Sequence, residues 1–139
     1  MDARPPWWPF RPRRNESGGE PLDRHERGRR AEALALTHLE RAGLRRLATN
    51  ARAGRGEIDL IVRDGDTLVF VEVRARTGGA LVSAMESLSA RKCAKVRETA
   101  ERLIAQRPEW QALYCRFDVV AVTLVVDRAP EIEWLPNAF

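Results

Sequence analysis

Apolar residues recur along this chain with two different periods, and the change of period marks out its elements. Over residues 24–42 the spacing is helical: Ala31, Leu34, Ala35, Leu39 and Ala42 fall on one face. Asp23 followed by Glu26 has capping-box-like spacing at the start of that run, and Gly43 suits the position just past its end. "LRRLATNAR" then reads as a first strand and "AGRG" as a turn. Two strands are predicted near 57–63 and 67–74, joined at the hairpin signature Asp64-Gly65. "TGG" at 77–79 reads as a flexible loop. A second helix is predicted after Ser89 and before Pro108, with Val96, Ala100, Leu103 and Ile104 as its buried stripe. "CRFDVVAVTLVV" reads as another strand and "EIEWL" as its partner across a short turn. The order is α-β-β-β-α-β-β, an α/β chain with no internal repeat.

Within the two hairpin strands, carboxylates interrupt runs otherwise fit for burial: Asp59 in one and Glu72 in the other. An unpaired acid in such a run costs several kcal/mol. A two-residue turn at Asp64-Gly65 pairs position i with 129 − i, and one at Gly65-Asp66 pairs it with 131 − i. The first register sets Glu57 opposite Glu72. The second sets Asp59 opposite Glu72 and Glu57 opposite Arg74. Either way Ile58, Leu60, Val62, Val69, Val71 and Val73 line one apolar face, while Glu57, Asp59, Glu72 and Arg74 gather at one end of the other. Like charges that close repel. An arginine ion pair at a sheet edge would relieve the repulsion, and so would a divalent cation.

Charge adds a second clue. The first turns of the second helix carry Arg91, Lys92, Lys95 and Arg97, at the end where cations oppose the helix dipole. Neighbouring carboxylates or a bound anion would account for them. The whole chain has a net charge of +4 and a pI near 9.8, a weak lean towards polyanionic partners. Its 139 residues suffice for one domain with a real core. We assign that domain to residues 23–139, and residues 1–22, rich in Pro, Arg and Gly, to a flexible arm. In "WWPFRPRR", Trp7, Trp8 and Phe10 could stack on unpaired bases or dock loosely on the domain.

Several classes drop out. No apolar run approaches the roughly 18 residues of a membrane span, so no membrane partner is expected. The N-terminus lacks the apolar stretch of a secretory signal, so the expected location is cytoplasmic. Cys93 and Cys115 form no CxxC pair and have no nearby histidine to complete a zinc site, so they read as reduced thiols. His25 and His38 fall in the first helix and read as helix-side residues.

"GEIDLI", Glu72 thirteen residues after Asp59, and "EVR" resemble the D…(D/E)-x-K signature of restriction-endonuclease-like nucleases. More closely, "GRRAEALALTHLERAG", "TNARAGRGEIDLIVRDGDTLVFVEVRAR", the helix near Lys92 and "RFDVVAV" resemble the uncharacterised bacterial YraN family, described as endonuclease-like and akin to Holliday-junction resolvases. The resemblance implies a restriction-endonuclease-like core with a mixed sheet flanked by helices. It implies a Mg²⁺- or Mn²⁺-dependent endonuclease acting on DNA, including branched DNA. The metal falls to Asp59 and Glu72, with Glu57 beside them and the Val73 carbonyl as a further ligand. Catalytic roles fall to Asp59, Glu72, Arg74 and, from the first helix, Glu32. Arg91, Lys92, Lys95 and Arg76 are the expected nucleic-acid contacts. Resolvase-like action would require a homodimer.

Arg74 departs from the signature, which has lysine there. Arginine stays protonated and cannot be a general base. It can still hold a phosphate, and Lys92 or Lys95 could supply the ammonium. Two other readings therefore stand beside the nuclease: a non-catalytic nucleic-acid-binding domain, and a protein-interaction module whose acids form a salt-bridged edge.

Overall fold

A computed structural model describes residues 23–76 and 88–139. The expected arm, with Trp7, Trp8 and Phe10, and the loop expected at 77–79 lie outside the described residues. Helix α1 spans Arg24–Arg41, followed by strands β1 (Arg45–Ala53), β2 (Gly56–Asp64) and β3 (Thr67–Arg76). Helix α2 (Ala90–Ala105), a single 3₁₀ turn (Pro108–Trp110) and strands β4 (Tyr114–Thr123) and β5 (Glu131–Leu135) complete the order expected from sequence. The ends of both helices are set locally. Asp23 Oδ1 accepts the Glu26 N–H at 2.8 Å, and Ser89 Oγ accepts the Lys92 N–H at 3.1 Å, each satisfying a donor that the helix itself leaves unpaired.

The five strands form one mixed sheet in the order β1-β2-β3-β4-β5. β3 and β4 run parallel from Thr67–Tyr114 to Arg76–Thr123, and the other neighbours are antiparallel. A parallel pair needs a long crossover, and α2 lies on it. α1 packs through Ala31, Ala35 and Leu39 on one face of the sheet, against Leu60, Val62, Val69, Val71, Val120 and Val122. α2 packs through Val96, Ala100 and Leu103 with Ile58, Ile61, Leu68 and Phe70. The two central strands are thus covered on both sides, which is why they read as nearly unbroken apolar runs.

The β2–β3 hairpin takes the second register: Asp64 pairs with Thr67 and Leu60 with Val71. Gly65, at φ +60°, and Asp66 form the turn. Two expectations need correction. Ile58 does not join Leu60 and Val62 on the α1 face but packs with Ile61 and Phe70 under α2. Strict alternation fails because β2 is disturbed between Ile58 and Leu60. β4 also ends sooner than its apolar run, at Thr123, where its parallel partner β3 ends at Arg76. Leu124 N–H makes a last bond to the Arg76 carbonyl, and Val126, 85% exposed, lies beyond the sheet.

α2 rests directly on the start of β2. Gly56 is buried beneath Thr99, and a Cβ there would collide with Thr99 Oγ1. Gly56→Ala should therefore destabilise the domain by about 1–3 kcal/mol, the usual range for overpacking. Thermal unfolding measures this, and adding Thr99→Ala should recover part of the loss; an unchanged Tm would mean that α2 does not bear on Gly56.

Candidate active site

The β2–β3 ladder stops at Leu60–Val71, while β3 continues alongside β4 to Arg76. The next cross-strand pair would be Asp59 and Glu72. Here the strands part, and Asp59 Oδ2 instead accepts the Val73 N–H at 2.9 Å. The carboxylate takes the place of a strand carbonyl. On its other side β2 pairs Leu60 with Thr49 and Ile58 with Ala51, and the intervening Asn50 adopts φ +50°. Asn50 Nδ2 donates to Glu32 Oε2 of α1 at 3.1 Å. The facing of β2 changes across Asp59, with Leu60 in the cluster under α1 and Ile58 in that under α2, and opposite it Asn50 bonds the α1 carboxylate.

Burial and crowding shape the charges there. Glu72 is only 4% exposed. Burial pushes its carboxyl up to about 7 and the Asp59 charge pushes the same way, while Lys92 and Arg74 oppose them. Asp59 is raised as well, by burial, although the Val73 N–H and Lys92 pull it down. The two carboxyls hydrogen-bond one another. Glu32 also reaches about 7, through burial first and then the charges of Asp59, Glu57 and Glu72. Three acids from α1, β2 and β3 thus resist simultaneous ionisation.

Two cations approach the cluster: Arg74 Nη1 and Lys92 Nζ both lie 3.6 Å from Glu72 Oε1. Helical geometry explains Lys92. It stands four residues before Val96 and so extends the buried stripe of α2 by one turn, over the end of the sheet. That contact also answers why α2 begins with cations its dipole disfavours.

The other expected residues are placed less centrally. Glu57 turns to Arg52 across the β1–β2 pair, with Nε–Oε2 at 3.4 Å. Arg91 and Lys95 line a groove beside Gly54, Arg55 and Arg102, while half-buried Arg76 ends β3. Asn50 was given no role from sequence, although an asparagine within a strand is itself a sign of irregular backbone. Arg55 and Arg102 were missed too, because only tertiary packing brings them together. Asp118 is fully buried and holds Arg116, the Trp134 Nε1–H and the Asn137 N–H, so it braces β4 against the C-terminus.

Among the described residues, no three His, Cys, Asp or Glu side chains converge as a ready metal cage. The donor chemistry nevertheless fits a hard divalent cation. Asp59 and Glu72 offer hydrogen-bonded carboxyls whose pKa values are raised chiefly by burial, and their charges in turn raise Glu32. Mg²⁺ typically takes only one or two carboxylates and keeps several waters.

The described residues thus define a mixed-sheet α/β domain with an ionisable cluster in an opening of the sheet. No helix among them is long and apolar enough to cross a membrane. The chain belongs to the Uncharacterised protein family UPF0102, which matches residues 31–122 and is the YraN family resembled by the sequence. It is 47% identical over 112 residues to a UPF0102 protein of Ectopseudomonas mendocina (strain ymp), covering 81% of this chain and 92% of that one. A UPF0102 protein of Pseudomonas aeruginosa (strain LESB58) is 46% identical over 115 residues, covering 82% and 92%. One from Pseudomonas savastanoi pv. phaseolicola (strain 1448A / Race 6) is 42% identical over 116 residues, covering 84% and 94%.

The raised acids make metal-free stability depend on pH. Glu32 and Glu72 move from 4.5 to about 7 on folding, so the folded state holds more protons than the unfolded state between those values. Stability should then fall as pH rises from about 4.5 through about 7. Glu72→Gln should flatten this slope in chelator-treated protein, as read from Tm against pH. A wild-type Tm that rises over the same window would contradict the assignment.

Proposed function

We propose that this protein is a metal-dependent endonuclease that hydrolyses DNA phosphodiesters, with structured or branched DNA among its substrates. The observation that carries this reading is the buried Asp59–Glu72 carboxyl pair, held together where the β2–β3 ladder stops. A fold seeking only stability would not keep two touching acids there. Asp59 and Glu72 would hold Mg²⁺ or Mn²⁺, with Glu32 and Glu57 as the further carboxylates in electrostatic reach of the pair. When bound, the ion would supply Lewis-acid polarisation of a phosphoryl oxygen and acidify a water.

The chain's own groups divide the remaining work. The Val73 N–H fixes Asp59 Oδ2, so the orientation of that carboxylate is set by the sheet. Arg74 Nη1 stands where a protonated, planar group can hold the scissile phosphate and stabilise growing negative charge. Lys92 Nζ, at the same Glu72 oxygen, is the group placed to orient the attacking water. The water oxygen forms the new bond to phosphorus as the ester P–O bond breaks; the proton the water gives up passes to solvent, and the leaving alkoxide takes one up from it.

One observation favours the non-catalytic reading. Arg74 and Lys92 already give Glu72 two cationic neighbours without a metal. A Mn²⁺-dependent screen over single-stranded, duplex, flapped and four-way DNA separates the two readings. Asp59→Asn should lose Mn²⁺ affinity and slow cleavage by at least about 10²-fold. Wild type inert on every DNA form, with Mn²⁺ binding equal in wild type and Asp59→Asn, would overturn the proposal.

Lys92 also sets an expectation for Arg74. If Lys92 carries the ammonium role, Lys92→Gln should slow single-turnover cleavage by about 10²-fold or more. Arg74→Lys should then change the rate only a few-fold. A large gain from Arg74→Lys would instead put the missing ammonium on β3 itself.

A further inference from the structure

The carboxyl cluster occupies only one end of α2. Along the neighbouring strip of the same helix, Arg91, Lys95, Glu98 and Arg102 recur at helical spacing and line a groove of about 630 Å³, closed by Gly54 and Arg55 from the β1–β2 turn. Four cations face this space with one carboxylate, and Glu98 is itself held by Arg102 at 3.1 Å. Among the described residues nothing else lining the groove offsets the remaining positive charge, and Arg91 lies at the end of α2 where the dipole makes a cation unfavourable. The floor is shaped for close approach. Gly54 has φ +58°, and a Cβ there would meet Arg102 Nη1 at 3.2 Å, so the bare backbone leaves room for the guanidinium.

We propose that this groove is a track for the phosphate backbone of a nucleic-acid strand, running from the carboxyl site at the start of α2 to Arg102 near its end. The proposal rests on the reading of that site as a nucleic-acid site and adds where the rest of the strand lies. Position fixes the direction. Lys92, at Glu72, and Arg91, in the groove, are consecutive on the helix, so the two sites meet at the N-terminal end of α2. From Arg91 to Arg102 the helix rises about 16 Å, the axial span of about five phosphates along one strand of a duplex. Arg91 and Lys95 therefore meet phosphates close to the reacting one, whereas Arg102, with Arg55 across the groove, meets phosphates further along.

The test is equilibrium binding of labelled single strands and duplexes, each in a ladder of lengths, by full-length protein carrying Asp59→Asn so that no strand is cut. Adding Arg102→Ala should weaken binding of the long strands several-fold. It should also reduce the log–log salt slope by about 0.7 on single strands or about 0.9 on duplexes. The shortest strands, reaching only the Arg91 end, should bind as before. Arg55→Ala should follow the same length dependence. Glu98→Gln should tighten the long strands, an opposite change that a damaged fold does not mimic. Losses equal at every length, or no change in any variant, would overturn the track. So would Arg102-dependent binding of a polyglutamate peptide without binding of strands, which would mark a protein-docking surface. Failure of the track and failure of the nuclease reading are separable, because the latter is judged on wild-type cleavage and Mn²⁺ binding.

Discussion

The contact between the buried carboxyls of Asp59 and Glu72 is the constraint around which the rest of this molecule is arranged. Two acids in touch at a half-closed sheet resist ionising together, and each departure from regular structure nearby helps to hold them. The β2–β3 ladder stops at Leu60–Val71, four pairs short of the start of β2, and the Val73 N–H bonds Asp59 instead. Asn50 takes a left-handed backbone and gives its amide to Glu32. Lys92 and Arg74 bring positive charge to Glu72 from two separate elements. Irregular backbone of this kind requires a surrounding structure that fixes it. The apolar layers under α1 and α2 are that structure.

Much of the scaffold could be read from the sequence because it rests on local rules. Helical spacing placed both helices, capping residues set their starts, and the turn signal around Gly65 with flanking alternation placed the hairpin and its acids on adjoining strands. What escaped was non-local. Either hairpin register kept Asp59 and Glu72 on one side, but neither revealed that the ladder would stop at Leu60–Val71. Beyond that point Ile58 lies on the α2 side, against strict alternation. Glu57 likewise lies beside Arg52 and not fully among the acids. β4 is expected to run on through Val126 because its residues stay apolar, yet its pairing with β5 ends at Thr123–Glu131.

The basic groove shows why spacing along one element is not enough. Arg91, Lys95 and Arg102 share a strip of α2 that a helical plot displays, but Arg55 lies in a turn far from them in sequence. They meet because Gly56, just past that turn, has no side chain and lets Thr99 of α2 settle on the strand. A small residue in the core thereby determines the width of a charged surface feature.

α2 thus does three things on three adjoining strips. Val96, Ala100 and Leu103 bind it to the sheet, Lys92 extends that stripe to Glu72, and Arg91, Lys95 and Arg102 face the groove. A helix is stiff on this scale, and interiors packed at crystal density pass on small shifts. A displacement of α2 at Gly56 would therefore move Lys92 relative to the carboxyls and Arg102 relative to Arg55 together. In the proposed nuclease such coupling would have a clear physical use. Contacts to distant phosphates and the Lys92 ammonium would keep a fixed separation, so binding energy gained along the groove would position the scissile bond.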